Sequence, residues 1–444
     1  MATPAPGARA KRPAPEPPIP ADWRVELPAA GDDGFYEFGS CRSIESGYTR
    51  QGVLGQGTYG EVFRAVDRST GETVAAKKIK MENEKEGFPI TAIREIKILS
   101  RLARSPAAFR GHLLRDNVVQ LREIVRSAGH RGNGYRGSVY MVFEYADHDM
   151  TGLLERASHD GPRFTEPQVK GYLQQLLCGL ALLGKVGVLH RDLKNANLLI
   201  TNGGVLKIAD FGLARYGLAA AGPGASAAAS SSASSPPARG AQPSPSSAGA
   251  RMTNRVITLW YRPPELFLGS ERYGPEVDAW SAGCIAFEVI TGRPLFAAQD
   301  ETGMVDRIFS ILGRATEATM PGCSRLPNYA LIDWNKFPPA GSLARYLRGR
   351  GIKSEEALDL LCRLLTLDPA KRIDAATAVA HEWFSRPPLP LRPEQMPKYE
   401  SSHEMGMKKA HQAAKAAAGG AGAAGRGGGR LPATGGASWQ KLRR

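Results

Sequence analysis

The sequence predicts an α+β fold, because strand-like segments come first and helical periodicity follows. Runs with β-branched, aromatic and other strand-favouring residues occur at residues 53–63, 73–79 and 138–145. Residues 88–102 carry apolar side chains at helical spacing, and a longer apolar stripe of the same period covers residues 169–183. The chain therefore mixes strands and helices, and neither type alone accounts for its pattern.

Composition divides the chain into a folded part and appendages. Its 444 residues are 42% hydrophobic, which is enough for a sizeable core. The 50 glycines and 32 prolines concentrate at both ends and in one internal stretch, where too little apolar surface exists to offset the entropy of ordering. We expect a folded domain over 48–384, a disordered extension over 1–47, a disordered insertion over 217–250 and an extension over 385–444.

Charge and cysteine content restrict the class of protein. The net charge is +15, and the Gly/Ala-rich tail from about residue 405 holds eight basic residues, with one acid, Glu404, just before it. Such a tail could contact nucleic acid, an acidic partner or an import receptor, or serve only solubility. The five cysteines form no C-x-x-C pair, so we expect neither disulfides nor zinc. No long uncharged apolar run occurs, so we expect a soluble, unsecreted protein with no membrane contact.

A glycine-rich segment lies between the first two predicted strands. A lone G-x-G-x-x-G is weak evidence and also occurs in dinucleotide-binding folds. Here a strand carrying Lys77 follows, where a dinucleotide fold would open a helix, so we expect ATP under a flap. The expected nucleotide contacts in this region are Leu54, Gly55, Gln56, Gly57, Thr58, Tyr59, Gly60, Val62, Ala75 and Lys77.

Lys77 requires a carboxylate that holds its ammonium against the α- and β-phosphates. Glu95 lies on the inward side of the predicted helix 88–102 and supplies that carboxylate. The alternative is that Glu95 is an exposed helix glutamate.

The string from His190 to Asn197 (H-R-D-L-K-N-A-N), followed by D-F-G at residues 210–212, predicts phosphoryl transfer from a magnesium nucleotide to a hydroxyl. Asp192 would accept the hydroxyl proton, and Lys194 would lie against the γ-phosphate. Asn197 and Asp210 would hold Mg²⁺ through hard oxygen ligands. Each residue alone could be a solvated loop residue, but the complete set is highly specific.

The segment from Pro89 to Glu95 (P-I-T-A-I-R-E) resembles the cyclin-contacting helix of the cyclin-dependent kinases, in the form typical of their transcriptional branch. Residues 252–265 are similar to the same branch. The resemblance covers about residues 48–410, and it is strongest to plant and algal C-type cyclin-dependent kinases and looser to the elongation-factor b kinase. It implies a bilobal kinase, with a small antiparallel sheet and one key helix over 48–146 and a larger helical lobe over 147–384.

The resemblance also assigns roles that spacing alone does not. It implies an adenine pocket formed by Phe143, Glu144, Ala146, Asp149 and Leu199. It implies that a separate kinase activates this one by phosphorylating Thr253, and that Arg94, Arg191 and Arg215 bind the resulting phosphate. It places Thr258 against Asp192 and Lys194. Thr58 and Tyr59 occupy the positions of inhibitory phosphates in the cell-cycle branch.

The same resemblance implies supports and a tail. It predicts a buried ion pair between Glu265 and Arg372, and Asp278 as a brace for the catalytic-loop backbone. Residues 396–404 resemble tails in which a His-Glu pair returns to the nucleotide, so His403 and Glu404 are expected near the ATP ribose. The alternative is that this tail is only a solvated extension.

The resemblance implies a nuclear serine/threonine kinase that binds a T- or K-type cyclin on the 89–95 helix. Its expected substrate is the Ser-Pro sites of the RNA polymerase II C-terminal domain, which would promote transcription elongation. A cell-cycle cyclin-dependent kinase is the nearest alternative, and a pseudokinase scaffold is the alternative from another class. No direct nucleic-acid site is predicted.

Overall fold

The computed structural model describes residues 41–57, 60–80, 88–104, 116–128, 137–159, 163–217 and 252–401. The chain divides into two units, Met1–Arg42 and Ser43–Arg444, and the fold described below belongs to the second. The predictions for residues 1–40, 218–250 and 402–444 lie outside the described residues. All five cysteines lie within the described residues and are free thiols.

An antiparallel sheet forms the N-terminal lobe. Among the described residues its strand order is β1-β2-β3-β5-β4. The strands are β1 (Tyr48–Gly57), β2 (Gly60–Asp67), β3 (Thr73–Lys78), β4 (Leu121–Arg126) and β5 (Val139–Glu144). Alternate residues such as Ala65, Val74 and Val142 are buried together on one face, as the two-residue period of a strand requires. Val62 pairs with Lys77, so both side chains belong to the same face.

Helix α1 (Ile44–Gly47) begins inside the extension that the sequence predicted to be disordered. Ser43 caps it, since its side chain accepts a hydrogen bond from the Glu45 backbone N–H. Ile44 is buried against the same sheet face as Phe63 and Val125. A single buried isoleucine has no periodicity, so the sequence pattern gave no sign that order begins before Tyr48.

Helix α2 (Ile90–Arg104) packs beside the sheet. Ile98, Leu99 and Leu102 are buried on its inner face. Ile90 and Ile93 instead leave 66% and 37% of their surface exposed. The helix therefore presents a second apolar surface, away from the lobe's own core.

Most of the C-terminal lobe is helical. Its helices in the described residues are α3 (Met150–His159), α4 (Glu166–Lys185), α5 (Pro264–Phe267), α6 (Glu276–Thr291), α7 (Glu301–Leu312), α8 (Leu343–Gly349), α9 (Glu355–Leu364), α10 (Ala375–Val379) and α11 (Glu382–Ser385). Short 3₁₀ turns occur at Asn195–Asn197, Phe211–Leu213, Leu259–Tyr261, Cys323–Arg325, Tyr329–Leu331, Trp334–Lys336, Pro369–Lys371 and Pro393–Gln395. The predicted stripe lies on α4, where Leu173, Leu176 and Leu180 are buried. In the described ranges, no helix has the length and apolarity needed to cross a membrane.

Two small antiparallel sheets flank the loops at residues 190–197 and 209–214. They are β6-β8-β9, formed by β6 (His148–Asp149), β8 (Leu198–Ile200) and β9 (Leu206–Ile208), and β7-β10, formed by β7 (Val188–Leu189) and β10 (Arg215–Tyr216). Val118, three residues before the start of β4, forms an isolated parallel bridge with Ile208 of β9. The two-lobed α+β architecture predicted from the sequence is confirmed over the described residues.

Residues 386–401, which we call the strap, lie along the C-terminal lobe. The buried Lys170 ammonium donates to the carbonyl oxygens of Arg386 (2.9 Å) and Pro388 (2.8 Å). Met396 is also buried, in a socket beside Gly171 and Gly204, where a Cβ would collide with it. The strap is therefore part of the packed domain.

The end of the strap reaches the connection between the lobes. The Tyr399 N–H donates to Asn202 Oδ1 (3.2 Å), and the Arg156 guanidinium lies 5.1 Å from the centre of the Tyr399 ring. Ser401 Oγ donates to the carbonyl oxygen of Asp147 at 2.9 Å. The last described residue thus contacts the segment that joins β5 to β6.

Candidate active site

A cleft of about 600 Å³ separates the sheet from the helical lobe. Its walls include eleven residues that the sequence assigned to nucleotide binding: Leu54, Gly55, Gly60, Val62, Ala75, Lys77, Phe143, Glu144, Ala146, Asp149 and Leu199. Gln56 and Gly57 lie in β1, and Thr58 and Tyr59 lie outside the described residues. Sequence reasoning missed Val119, Ala209 and Leu213, whose side chains carry no motif signal.

Lys77 lies between two carboxylates at the back of the cleft. Its Nζ is 3.1 and 2.9 Å from the two Glu95 oxygens and 3.4 Å from Asp210 Oδ1. Burial alone would lower the pKa of Lys77, but the two carboxylates outweigh it and hold the pKa above its ordinary value. The ammonium is therefore charged and fixed in place, and Glu95 is a buried partner, not an exposed helix glutamate.

Asp278 on α6 fixes the backbone of the catalytic loop. Its two carboxylate oxygens accept hydrogen bonds from the N–H groups of His190 (2.7 Å) and Arg191 (2.9 Å). Arg191 has a left-handed backbone with φ of 64°. That conformation is uncommon for a residue with a side chain, so the two bonds hold the loop in a shape that it would otherwise rarely adopt.

The Asp192 carboxylate is the centre of the loop. Thr258 Oγ1 donates to Asp192 Oδ1 at 3.0 Å, and Lys194 Nζ lies 2.8 Å from Asp192 Oδ2. Asn197 Nδ2 donates to the Asp192 carbonyl at 2.8 Å. Asp192 thus links Thr258 to Lys194. Its carboxylate is held at both oxygens and faces the cleft.

The donor set fits a hard divalent cation at Asn197 and Asp210. The Asn197 amide nitrogen is occupied by Asp192, and its oxygen accepts no hydrogen bond from the described residues. Burial would raise the pKa of Asp210, but Lys77, His190 and Lys194 lower it below its ordinary value. A carboxylate and an amide oxygen, both on the cleft wall, are the ligands that Mg²⁺ prefers.

The connection between the lobes is held by a buried ion pair. Lys207 Nζ lies 3.0 Å from Glu144 Oε2 and donates to the Asp116 carbonyl at 3.0 Å. The other Glu144 oxygen accepts a hydrogen bond from the Gln120 N–H at 2.8 Å. The Glu144 side chain is therefore engaged away from the cleft, and its backbone remains at the cleft edge.

The predicted phosphate-binding arginines lie near the turn Phe211–Leu213, at the start of the activation segment, of which residues 210–217 and 252–265 are described. Arg94 Nη1 donates to the Gly212 carbonyl (3.3 Å), and the Arg191 guanidinium donates to the Leu213 carbonyl from Nε (2.9 Å) and Nη2 (2.7 Å). Arg215 and Thr253 are exposed. Arg94 and Arg191 are thus brought together by neighbouring carbonyls.

Ile257 is a feature that sequence reasoning missed. This buried β-branched residue lies in the cleft wall with a left-handed backbone, φ of 69°. Its carbonyl oxygen accepts hydrogen bonds from Arg262 Nη2 (3.2 Å) and Nε (3.3 Å), and Arg262 is held in turn by Glu301 at 2.7 Å. The carbonyl next to Thr258 is therefore already occupied. No sequence signal marks a left-handed isoleucine.

The expected supports are present. Arg372 makes a bidentate pair with Glu265, at 2.8 and 3.1 Å, and both side chains are almost completely buried. This pair ties the end of the activation segment to the helical core.

Comparison with known proteins places this geometry in a family. Residues 48–384 match the protein kinase domain. Cyclin-dependent kinase 9 of Danio rerio is 43% identical over 360 residues, which is 80% of this chain and 84% of that protein. The chain belongs to the transcriptional cyclin-dependent kinases.

Further relatives support this placement. Cyclin-dependent kinase C-1 of Oryza sativa is 46% identical over 374 residues, covering 82% of this chain and 63% of that kinase, so the chain spans less than two thirds of the plant relative. A solved CAK complex from Chaetomium thermophilum, bound to ATP-gamma-S, has a TM-score of 0.64 at 32% identity, covering 80% of this chain and 96% of that one. The resemblance identified from the sequence is confirmed.

Proposed function

We propose that this cyclin-dependent kinase transfers the ATP γ-phosphate to serine in Ser-Pro sites, with the RNA polymerase II C-terminal domain as its substrate and transcription elongation as the outcome. The observation that carries the Ser-Pro specificity is the occupied carbonyl of Ile257 beside Thr258. The polymerase substrate and a nuclear location are supported by the relatedness to transcriptional cyclin-dependent kinases.

The side chains in the cleft divide the work of phosphoryl transfer. The oriented Asp192 carboxylate would accept the serine proton, and the Lys194 ammonium would lie against the transferred phosphate. Lys77, fixed by Glu95, would bind the α- and β-phosphates. Asn197 and Asp210 would hold Mg²⁺, which neutralises the triphosphate charge.

The residue after the phosphorylated serine would face Ile257. An ordinary residue there brings an N–H group that requires an acceptor, but Arg262 already occupies the Ile257 carbonyl. A buried donor without a partner costs roughly 1–3 kcal/mol, which is about a fivefold to 150-fold loss in kcat/KM. Proline has no N–H, so it avoids that cost.

Three peptides test this explanation in the purified cyclin complex. They carry proline, alanine or N-methylalanine after the target serine, within otherwise identical polymerase heptad repeats. N-methylalanine lacks both the ring and the N–H, so it should be phosphorylated almost as well as proline, and alanine should be poor. Equal rates for alanine and proline would disprove the carbonyl argument, and poor N-methylalanine would show that the ring is recognised instead.

Catalytic variants test the kinase assignment itself. Asp192→Asn should abolish phosphate transfer while cyclin binding is kept, and Thr253→Ala should lose most activity because no phosphate can form there. Glu95→Gln should also lose activity, since a neutral amide holds the Lys77 ammonium less well. A wild-type cyclin complex that transfers no phosphate from labelled ATP would favour the pseudokinase scaffold.

A T- or K-type cyclin is the proposed partner of helix α2. Ile90 and Ile93 are exposed on the helix that carries Glu95, so a protein bound there can bias the position of the Glu95 carboxylate. A separate activating kinase is the proposed source of the Thr253 phosphate, and the exposed Thr253 side chain is accessible to it.

The strap supports the proposal that His403 and Glu404 approach the ATP ribose. Ser401 Oγ contacts the carbonyl oxygen of Asp147 and lies 3.4 Å from the Tyr145 hydroxyl. Tyr145 and Asp147 flank Ala146, which lies in the cleft wall. Only one residue separates Ser401 from His403. Deletion of residues 402–410 should weaken ATP affinity, and unchanged affinity would leave this tail as a solvated extension.

A further inference from the structure

The Tyr273 hydroxyl lies between the catalytic loop and the activation segment. It accepts a hydrogen bond from Arg191 Nη1 at 2.9 Å and donates one to the Thr253 carbonyl oxygen at 2.6 Å. The side chain is only 8% exposed. We propose that Tyr273 is a positioning residue that ties the residue to be phosphorylated, Thr253, to the catalytic-loop arginine, Arg191, before any phosphate is attached.

Arg191 is a rigid anchor for this link. Its backbone N–H is bound by Asp278, and its guanidinium donates to the Leu213 carbonyl as well as to Tyr273. Three of the guanidinium's N–H groups are used within the described residues, and a guanidinium has about five. The remaining donors can bind a phosphate while Tyr273 stays in place, so the two interactions are compatible.

The other end of the link is also placed independently. The Met252 N–H donates to the Glu271 carbonyl at 2.9 Å, and the Met252 side chain is buried in the core. These contacts bring the Thr253 carbonyl to the tyrosine, while the Thr253 side chain remains exposed. Burial raises the pKa of Tyr273, with Arg191 acting in the opposite direction, so the hydroxyl keeps its proton and can donate.

This arrangement makes the hydroxyl most important in the unphosphorylated chain. A phosphate on Thr253 would give the segment a second link to Arg191, and charge-assisted bonds of that kind are stronger than a neutral one. Loss of the Tyr273 hydroxyl should therefore be severe before phosphorylation and mild after it. The inference rests on the proposed activation of the kinase at Thr253.

Tyr273→Phe in the full chain with its cyclin tests the inference. In the phosphatase-treated complex, kcat/KM for a Ser-Pro peptide should fall roughly tenfold, the effect of one buried hydrogen bond. After phosphorylation of Thr253 the loss should be roughly twofold or less. Tyr329→Phe is the control, since its part-buried hydroxyl also donates to a backbone carbonyl, that of Ala315 (3.0 Å), and it should change neither rate.

A second measurement separates this inference from the kinase proposal. Hydrogen exchange of the 252–262 backbone should be faster in unphosphorylated Tyr273→Phe than in wild type, and no activity is needed to observe it. Unchanged exchange together with unchanged kcat/KM would overturn the positioning role. An equal loss of kcat/KM before and after phosphorylation would also overturn it, because such a loss indicates a general folding defect. If exchange is faster in Tyr273→Phe but the wild-type complex transfers no phosphate, only the proposed function is overturned.

Discussion

Removal of one charge from the Glu265–Arg372 pair should destabilise the helical lobe strongly. The side chains are 4% and 0% exposed, so solvent cannot reach Arg372 to replace the carboxylate. Glu265→Gln keeps the shape but leaves a buried guanidinium without its counter-charge. Breaking a buried pair in this way costs about 3–5 kcal/mol, a large part of the total stability of a domain.

The chain offers a matched control for burial. Arg348 and Glu355 make a similar two-point contact, at 2.6 and 3.2 Å, but their side chains are 53% and 69% exposed. Water solvates both groups after the change, so Glu355→Gln should produce little measurable loss.

Urea unfolding of both variants, followed by fluorescence, measures the difference. The free energy of unfolding should fall by about 3–5 kcal/mol for Glu265→Gln and should stay within experimental error for Glu355→Gln. Equal effects of the two substitutions would refute the argument that burial decides the energy of these pairs.

Three further predictions concern the partner surface, the catalytic loop and pH. Ile90→Asp should weaken cyclin binding more than tenfold in calorimetry, because it charges an apolar contact, whereas Leu331→Asp, at a leucine elsewhere that is even more exposed (81% against 66%), should not. Asn195→Ala should raise the free energy of unfolding by roughly 1 kcal/mol in urea titrations, because both polar atoms of its buried amide lack a partner within the described residues; a loss would contradict this. Lys77 lowers the pKa of Asp210, so their attraction stabilises the fold above about pH 4 and is lost as Asp210 protonates. The difference in unfolding free energy between wild type and Lys77→Met should therefore shrink in acid. A difference that stays constant with pH would exclude this coupling.

The sequence predicted the parts of this molecule that depend on side-chain chemistry or periodicity. The stripe on α4 and the spacing from Asp192 to Asp210 were sufficient for the helical core and the catalytic cleft, because residue type and interval carry that information directly. The roles of these residues stay predictions until the variants are measured.

Features that depend on backbone conformation or on irregular packing could not be predicted. The left-handed Ile257 contradicts the preference of its own residue type, and its tertiary contacts, which include core burial and the bonds from Arg262, hold it in place. Ile44 and the strap have no repeating pattern, so their order follows from tertiary contacts alone.

Lys170 sets a limit on where this catalytic domain can be cut. Its side chain is 1% exposed, and two of its acceptors are the carbonyls of Arg386 and Pro388, past the end of the kinase family match at residue 384. A fragment trimmed at that boundary would keep every predicted catalytic group but would lose both carbonyl acceptors of Lys170, so its ammonium would keep Glu166 and the Trp383 ring as partners without them. Expression of the minimal kinase region would thus yield a weakened fold, and inhibitor or kinetic measurements on it would describe a different protein from the full chain.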